Sequence, residues 1–274
     1  VTAALNNSSN KVTQIFSTES AFAALRSDGS VVTWGNSDYG GNSSAVTAAL
    51  NNSSNKVTQI FSAQRAFAAL RSDGSVVTWG DSSRGGDSSA VSAALNNSNN
   101  RVTQIFSSRF AFAALRSDGS VVTWGDYYQG GNSSAVSAAL NNSSKKITQI
   151  VSNGSAFAAL RSDGSVVTWG DFGGNSSAVA TALNDSSNKV TQIFSNGWAF
   201  AALRSDGSVV TWGLSPWGGN SSSVDFDGPA NNLKVVGFAN PFTDDNLIAL
   251  GADNSQSLSL ASVTPAAVPI TASG

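Results

Sequence analysis

The sequence predicts an all-β fold assembled from tandem blades, and three observations predict it. First, the stretch AFAALRSDGSVVTWG occurs at Ala21–Gly35, Ala66–Gly80, Ala111–Gly125, Ala156–Gly170 and Ala199–Gly213 without one substitution. Second, its tryptophans (Trp34, Trp79, Trp124, Trp169 and Trp212) recur at intervals of 45, 45, 45 and 43 residues, a period that marks repeat architectures. Third, short β-branched and aromatic runs alternate with Gly-, Asn- and Ser-rich breaks. A unit of this size cannot bury its own apolar surface, so neighbours must stack into a shared core.

Each element of the unit has a local reason. Lys11-Val12-Thr13-Gln14-Ile15-Phe16-Ser17 is β-branched and aromatic and reads as a first strand. Ala21–Arg26 and Val31–Trp34 flank Asp28-Gly29, a strong hairpin signal because Gly supplies the positive φ of a tight turn cheaply. Along the second strand Phe22 and Ala24 face one way, and Ala21, Ala23 and Leu25 the other. Both faces are apolar, which predicts a sheet covered on both sides. The alanines admit a close neighbour while Phe22 and Trp34 supply bulk, a requirement that radially stacked blades meet. After the Gly40-Gly41 corner, Ser43 or Ser44 would cap one or two helical turns built on Ala and Leu. The alternative is a fourth strand with Val46, Ala48 and Leu50 on one side. Asn51–Asn55 turns the chain into the next unit.

The fold class is therefore a tandem-repeat β-propeller of about six blades with short helical turns between them, or else an open β-repeat spiral. Units run over residues 11–55, 56–100, 101–145, 146–188 and 189–230, followed by a degenerate sixth over 231–260, all in one domain spanning 1–260. In the sixth, Asn246–Ser255 aligns with AFAALRSDGS and Leu233–Phe238 stands in the place of the first strand. Residues 261–274, with Pro265 and Pro269, form a closing strand or a linker. Val1–Asn10 matches Val46–Asn55 and there is no initiator Met, which suggests a processed or trimmed product.

Composition narrows the function classes. Charged residues are 12 % of 274 and the formal net charge is −2, so no broad basic field exists to attract nucleic acid. Cys, Met and His are absent, which excludes a Cys/His zinc site and a Ser–His–Asp or Cys–His nucleophile. No cofactor and no metal site are expected, and no apolar run approaches the ~20 residues of a membrane span. Abundant Ala, Ser, Asn, Thr, Val and Gly with a single Glu suggest a secreted or cell-surface location of a bacterial kind.

The order strand, small-residue strand, Asp-Gly turn, Val-x-Thr-Trp-Gly and Gly-Gly corner resembles the regulator of chromosome condensation repeat family. The resemblance covers five units and the decayed sixth, and it implies a β-propeller. This chain has Ala21 where the family usually has His, and Gly40-Gly41-Asn42-Ser43 where the family has Gly-Gln-Leu-Gly. Its units are shorter than the family's. The insertions and basic surfaces that nucleotide exchange and chromatin binding need are missing, so those roles are not implied.

Differences among the copies fall in two windows. The first reads Thr18-Glu19-Ser20, Ala63-Gln64-Arg65, Ser108-Arg109-Phe110, Asn153-Gly154-Ser155 and Asn196-Gly197-Trp198. The second reads Asn36–Tyr39, Asp81–Arg84, Asp126–Gln129, a shortened Asp171-Phe172, and Leu214–Trp217. In an antiparallel meander both windows emerge at one end and the constant turns at the other, so the windows should share one face. Glu19, Tyr39, Arg65, Arg84, Arg109, Phe110, Tyr127, Tyr128, Phe172, Trp198 and Trp217 are the candidate ligand contacts, a mixture suited to recognition. Neutral drift of exposed loops is the competing explanation.

Other features have structural readings. The turn residues Asp28, Asp73, Asp118, Asp163 and Asp206 suit the hairpin rather than catalysis or calcium. Arg26 and its copies read as solvated or blade-bridging. Asp225–Gly228 and Asp244-Asp245 offer too few oxygens for calcium. The five repeated tryptophans read as packing rather than sugar platforms, and Asn-x-Ser sequons arise by chance in Asn/Ser-rich sequence. The expected protein is a non-enzymatic module that binds a protein or a glycan through the window face. The alternative is a self-associating subunit of an extracellular filament, sheath or surface layer.

Overall fold

The computed structural model describes residues 1–222 and the short strands Leu233–Val235 and Leu250–Ala252. Val12–Ser17, Ala21–Arg26 and Val31–Gly35 form a three-stranded antiparallel sheet in sequence order. Four further sheets repeat it, with second strands at Ala66–Arg71, Ala111–Arg116, Ala156–Arg161 and Ala199–Arg204. Register is the same in each: Phe22 pairs with Trp34 as Phe67 pairs with Trp79. Each first strand slips register between its first and third residues, as between Val12 and Gln14, where the Thr13 hydroxyl donates to the Leu25 carbonyl at 3.1 Å.

The hairpin turn forms as its residues dictate. Gly29 has φ 84° and donates its N–H to the Arg26 carbonyl, while Arg26 N–H donates to the Ser30 carbonyl, both at 2.9 Å. Asp28 Oδ1 accepts the Ser30 N–H at 2.8 Å and the Ser30 hydroxyl. Burial works to raise this carboxyl, but hydrogen bonds from Ser30 and Asn10 and the Arg26 charge outweigh it and hold it below the ordinary value. The aspartates are turn residues, as their context implies.

Blades stack face to face. Ala21, Ala23, Leu25 and Val31 of the first blade meet Val57, Ile60, Phe67, Ala69, Val77 and Trp79 of the second, with Leu50 between them. The same cluster recurs at the next three junctions. Phe67, Phe112, Phe157 and Phe200 are 0–2 % exposed, and each stacks on its cross-strand Trp at 5.1–5.2 Å. Burying one such ring contributes ~2–3 kcal/mol. Each indole also reaches across the junction: Trp79, Trp124, Trp169 and Trp212 Nε1 donate to the carbonyls of Gly40, Gly85, Gly130 and Gly173 at 3.0–3.1 Å. The repeated tryptophans of blades two to five are thus packing residues.

The Gly-Gly corner leads into a 3-10 turn, Ser44–Val46, and one α-helical turn, Thr47–Leu50, repeated in the next three units. The helical reading is correct and the fourth-strand alternative is not. The cap differs from expectation. Asn42 Oδ1, not a serine, takes the Ser44 N–H at 2.9 Å, while Ser43 Oγ lies 2.9 Å from Thr33 Oγ1 and ties the corner to the third strand.

In the sixth unit, Leu233–Val235 pairs antiparallel with Leu250–Ala252, joining Lys234 to Gly251. Leu233–Val235 lies within the stretch aligned with the first strand, whereas Leu250–Ala252 overlaps only the end of Asn246–Gly251, the stretch aligned with the second. Its turn at Asn254, the acidic pairs Asp225/Asp227 and Asp244/Asp245, and residues 261–274 lie outside the described residues.

Candidate recognition face

Both variable windows emerge at the same end of every blade, opposite the Asp-Gly turns. Within the first blade, Asn36 N–H donates to the Ser20 carbonyl at 2.9 Å, and the Thr18 hydroxyl donates to the Tyr39 carbonyl at 2.9 Å. Equivalent ties join Ser108 to Gln129, Asn153 to Phe172 and Asn196 to Trp217 at 2.8–3.0 Å. In four of the five blades the first residue of the first window is therefore an anchor between loops, the exception being Ala63 of the second. Ser108 and Asn153 are buried, a role that variability alone did not reveal. The signal was present as a recurring polar residue directly after the first strand.

The windows of successive blades are joined as well. Backbone N–H groups of Glu19, Gln64, Arg109 and Gly154 donate in turn to the carbonyls of Gln64, Arg109, Gly154 and Gly197 at 2.8–3.1 Å. This ladder fixes neighbouring loops relative to one another and makes one continuous rim from five pairs of loops.

Ten of the eleven candidate residues fall into three groups on that rim, and Glu19 stands alone. Arg65 lies over the Tyr39 ring at 4.8 Å and 3.9 Å from Asp81. Arg84 lies over the Phe110 ring at 4.2 Å and 2.5 Å from the Asp126 carboxylate. These four side chains brace adjacent blades through contacts worth ~0.5–1 kcal/mol each at partly exposed sites. Glu19 is exposed and stands apart from them.

A second group converges. Trp198 lies 6.0 Å from Phe172, edge to face, and 6.2 Å from Trp217, tilted. Arg109 sits 5.8 Å from the Trp198 ring. That contact skips a blade, since Arg109 belongs to the third unit and Trp198 to the fifth. It is possible because the intervening fourth-blade position is Gly154, which has no side chain. Phe172 and Trp217 are 44 % and 58 % exposed. Tyr127 and Tyr128 form the third group, edge to face at 5.2 Å. Tyr127 lines a separate groove of about 540 Å³ with Val91, Val122 and Asn132.

Phe172 is the one non-glycine described at positive φ, 35°. Its window has two residues fewer than its counterparts, and the short connection forces the backbone into the left-handed region that bulky side chains avoid. Asp171 Oδ1 accepts the Phe172 N–H at 2.9 Å and supports the bend. Among the described residues no group of three or more acidic side chains could hold a metal ion. No described helix is long and apolar enough to cross a membrane.

No protein-family profile matches the chain and no curated protein is similar to it. Its neighbours among solved structures are propellers of the regulator of chromosome condensation kind at low identity. Human WBSCR16 is 19 % identical, with a TM-score of 0.48 over 76 % of this chain and 64 % of that one. The ectodomain of the Physcomitrella patens receptor kinase CR4 is 16 % identical, TM-score 0.47, over 75 % and 53 %. Yeast RCC1 (Prp20), solved bound to Kap60, is 16 % identical, TM-score 0.47, over 82 % and 64 %. The chain spans less than two thirds of each of these proteins.

Proposed function

We propose that the chain is a non-enzymatic binding module of a secreted or cell-surface protein, recognising a protein or glycan through the rim built by the two windows. One observation carries the reading: Phe172, Trp198 and Trp217, from three loops on two blades, converge beside Arg109 while two of the rings stay largely exposed. Packing of the blades does not require these rings, and exposed aromatic planes are costly unless they meet a ligand. Exposed aromatic surfaces with a cation over one of the rings suit the apolar face of a sugar or an aromatic or aliphatic anchor on a protein.

The experiment is binding of the intact chain to glycan and protein arrays, repeated with Phe172, Trp198 and Trp217 replaced by Ala. Loss of an aromatic anchor costs ~2 kcal/mol or more, so the triple variant should bind at least ~30-fold more weakly. Its melting temperature should stay within a few degrees of the parent. Undiminished binding would show that the ligand uses another surface. Adding Tyr127→Ala and Tyr128→Ala in a separate variant asks whether the groove beside Tyr127 extends the site.

A further inference from the structure

The first blade displays one half of a junction that the molecule builds four times inside itself. Three contacts recur at every internal junction. A Phe ring packs under the Gly corner of the preceding blade, so that a Cβ on Gly40, Gly85, Gly130 or Gly173 would fall 2.5–3.1 Å from that ring. An indole Nε1 donates to the same glycine's carbonyl. A window N–H donates to the window carbonyl of the following blade.

On the first blade the receiving halves are free. Phe22 is 43 % exposed where Phe67 is 0 %, and Ile15 is 60 % exposed where Ile60 is 2 %. Among the described residues, Trp34 Nε1 and the Glu19 carbonyl have no hydrogen-bond partner. Yet Phe22 and Trp34 are already stacked at 5.2 Å, as in every buried copy.

The fifth blade displays the reciprocal half. Gly218 is exposed where Gly40, Gly85, Gly130 and Gly173 are buried. Among the described residues, a Cβ on Gly218 would meet only Asn196 Nδ2, at 3.5 Å. No described indole donates to the Gly218 carbonyl, and the Gly197 N–H has no described acceptor. In the sequence of the sixth unit, Leu247 and Ser259 stand at the positions aligned with the Phe and Trp of the other units.

We propose that two copies of this chain associate head to tail, the first blade of one seating on the fifth-blade corner of the other. Trp34 Nε1 then donates to Gly218, Gly197 N–H donates to Glu19, and the Phe22 ring covers the bare corner. The direction of each bond matches the internal junctions. Because the two surfaces differ, each associated pair keeps one free head and one free tail, and repetition adds further copies. This surface is separate from the aromatic cluster, and the inference does not depend on the recognition reading.

The test uses the chain's lack of cysteine. Ser195 Oγ donates to the Ser152 carbonyl and Ser152 Oγ to the Ser107 carbonyl at 2.7 Å across internal junctions. Ser17 and Ser195 occupy the corresponding positions of head and tail. Full-length S17C and S195C, mixed under mild oxidation, should give a disulfide-linked dimer that neither gives alone. Phe22→Glu should abolish it with the melting temperature nearly unchanged, since that ring is partly exposed already. Trp34→Phe, which removes only the donor, should lower the yield about three- to tenfold. No dimer on mixing, equal dimerisation of S17C alone, or a mass by light scattering that stays monomeric at every concentration would each overturn the proposal.

Discussion

Phe172 shows how a single residue can be placed against its own preference. A bulky side chain at φ 35° costs ~1–2 kcal/mol, and the two-residue window leaves it no other path. Replacement by Asn, which tolerates this region, is expected to leave the thermal midpoint unchanged or up to ~3 °C higher. Ligand affinity should fall about tenfold with the lost ring. A drop of several degrees in calorimetry would show that the ring stabilises the fold instead. That the two windows share one end of the blades was legible in the sequence, since they flank the second and third strands of an antiparallel meander, and the eleven candidates were drawn from them. Their grouping was not. Arg84 meets a ring one blade away and Arg109 a ring two blades away, and such pairings depend on stacking distance and on the missing side chain of Gly154. No spacing rule within one unit encodes either.

At the scale of the element, the Asp-Gly hairpin is the piece most completely written in its residues. Asp28, Asp73, Asp118, Asp163 and Asp206 are each pulled by burial towards a higher pKa, yet held below the ordinary carboxylate value by hydrogen bonds and nearby cations. Lys145, 2.7 Å from Asp163, makes that turn the most strongly affected. A carboxyl whose folded pKa is depressed adds stability above its unfolded pKa, and that stability is lost as pH falls through the folded value. The melting temperature should therefore be nearly flat from pH 7 to 5 and decline below about pH 4. Changing all five aspartates to Asn should flatten that decline, and an unaltered acid limb in a pH series would contradict this account. The corner helix was less legible. Two serines and an asparagine compete to cap it, and Ser43 is withdrawn because its hydroxyl finds Thr33 on a strand ten residues earlier.

For the whole molecule, the repeat period, the Asp-Gly hairpin and the apolar residues on both strand faces were together enough to foresee stacked blades, while the count of three strands against four stayed open. They also left open how the array ends, because identical units say nothing about the outermost surfaces. Stability of such an array is approximately the sum of unit and junction terms. Excision of residues 56–100 removes one whole unit and leaves every remaining junction of the same kind. The shortened chain should fold, with a denaturant m-value smaller by about a fifth and a modestly lower midpoint. Excision of residues 56–75, which removes the first two strands of the second blade and leaves its third, Val76–Gly80, without partners, should yield an aggregating product. Urea titration followed by circular dichroism distinguishes the two, and failure of the 45-residue deletion to fold would mean that the blades are not interchangeable.

The glycine that ends each third strand and the invariant alanine beneath it give every window the same footing. Gly35 would press its added carbon within 2.6 Å of the Ser20 carbonyl, and Gly80, Gly125, Gly170 and Gly213 meet the matching carbonyl at 2.5–2.7 Å. The supports under each pair of loops are thus identical sockets. A loop pair lifted from one blade and set into another would meet the same walls at the same distances, so the rim behaves as a rack of plug-in cartridges whose contents can be reshuffled without retuning the frame.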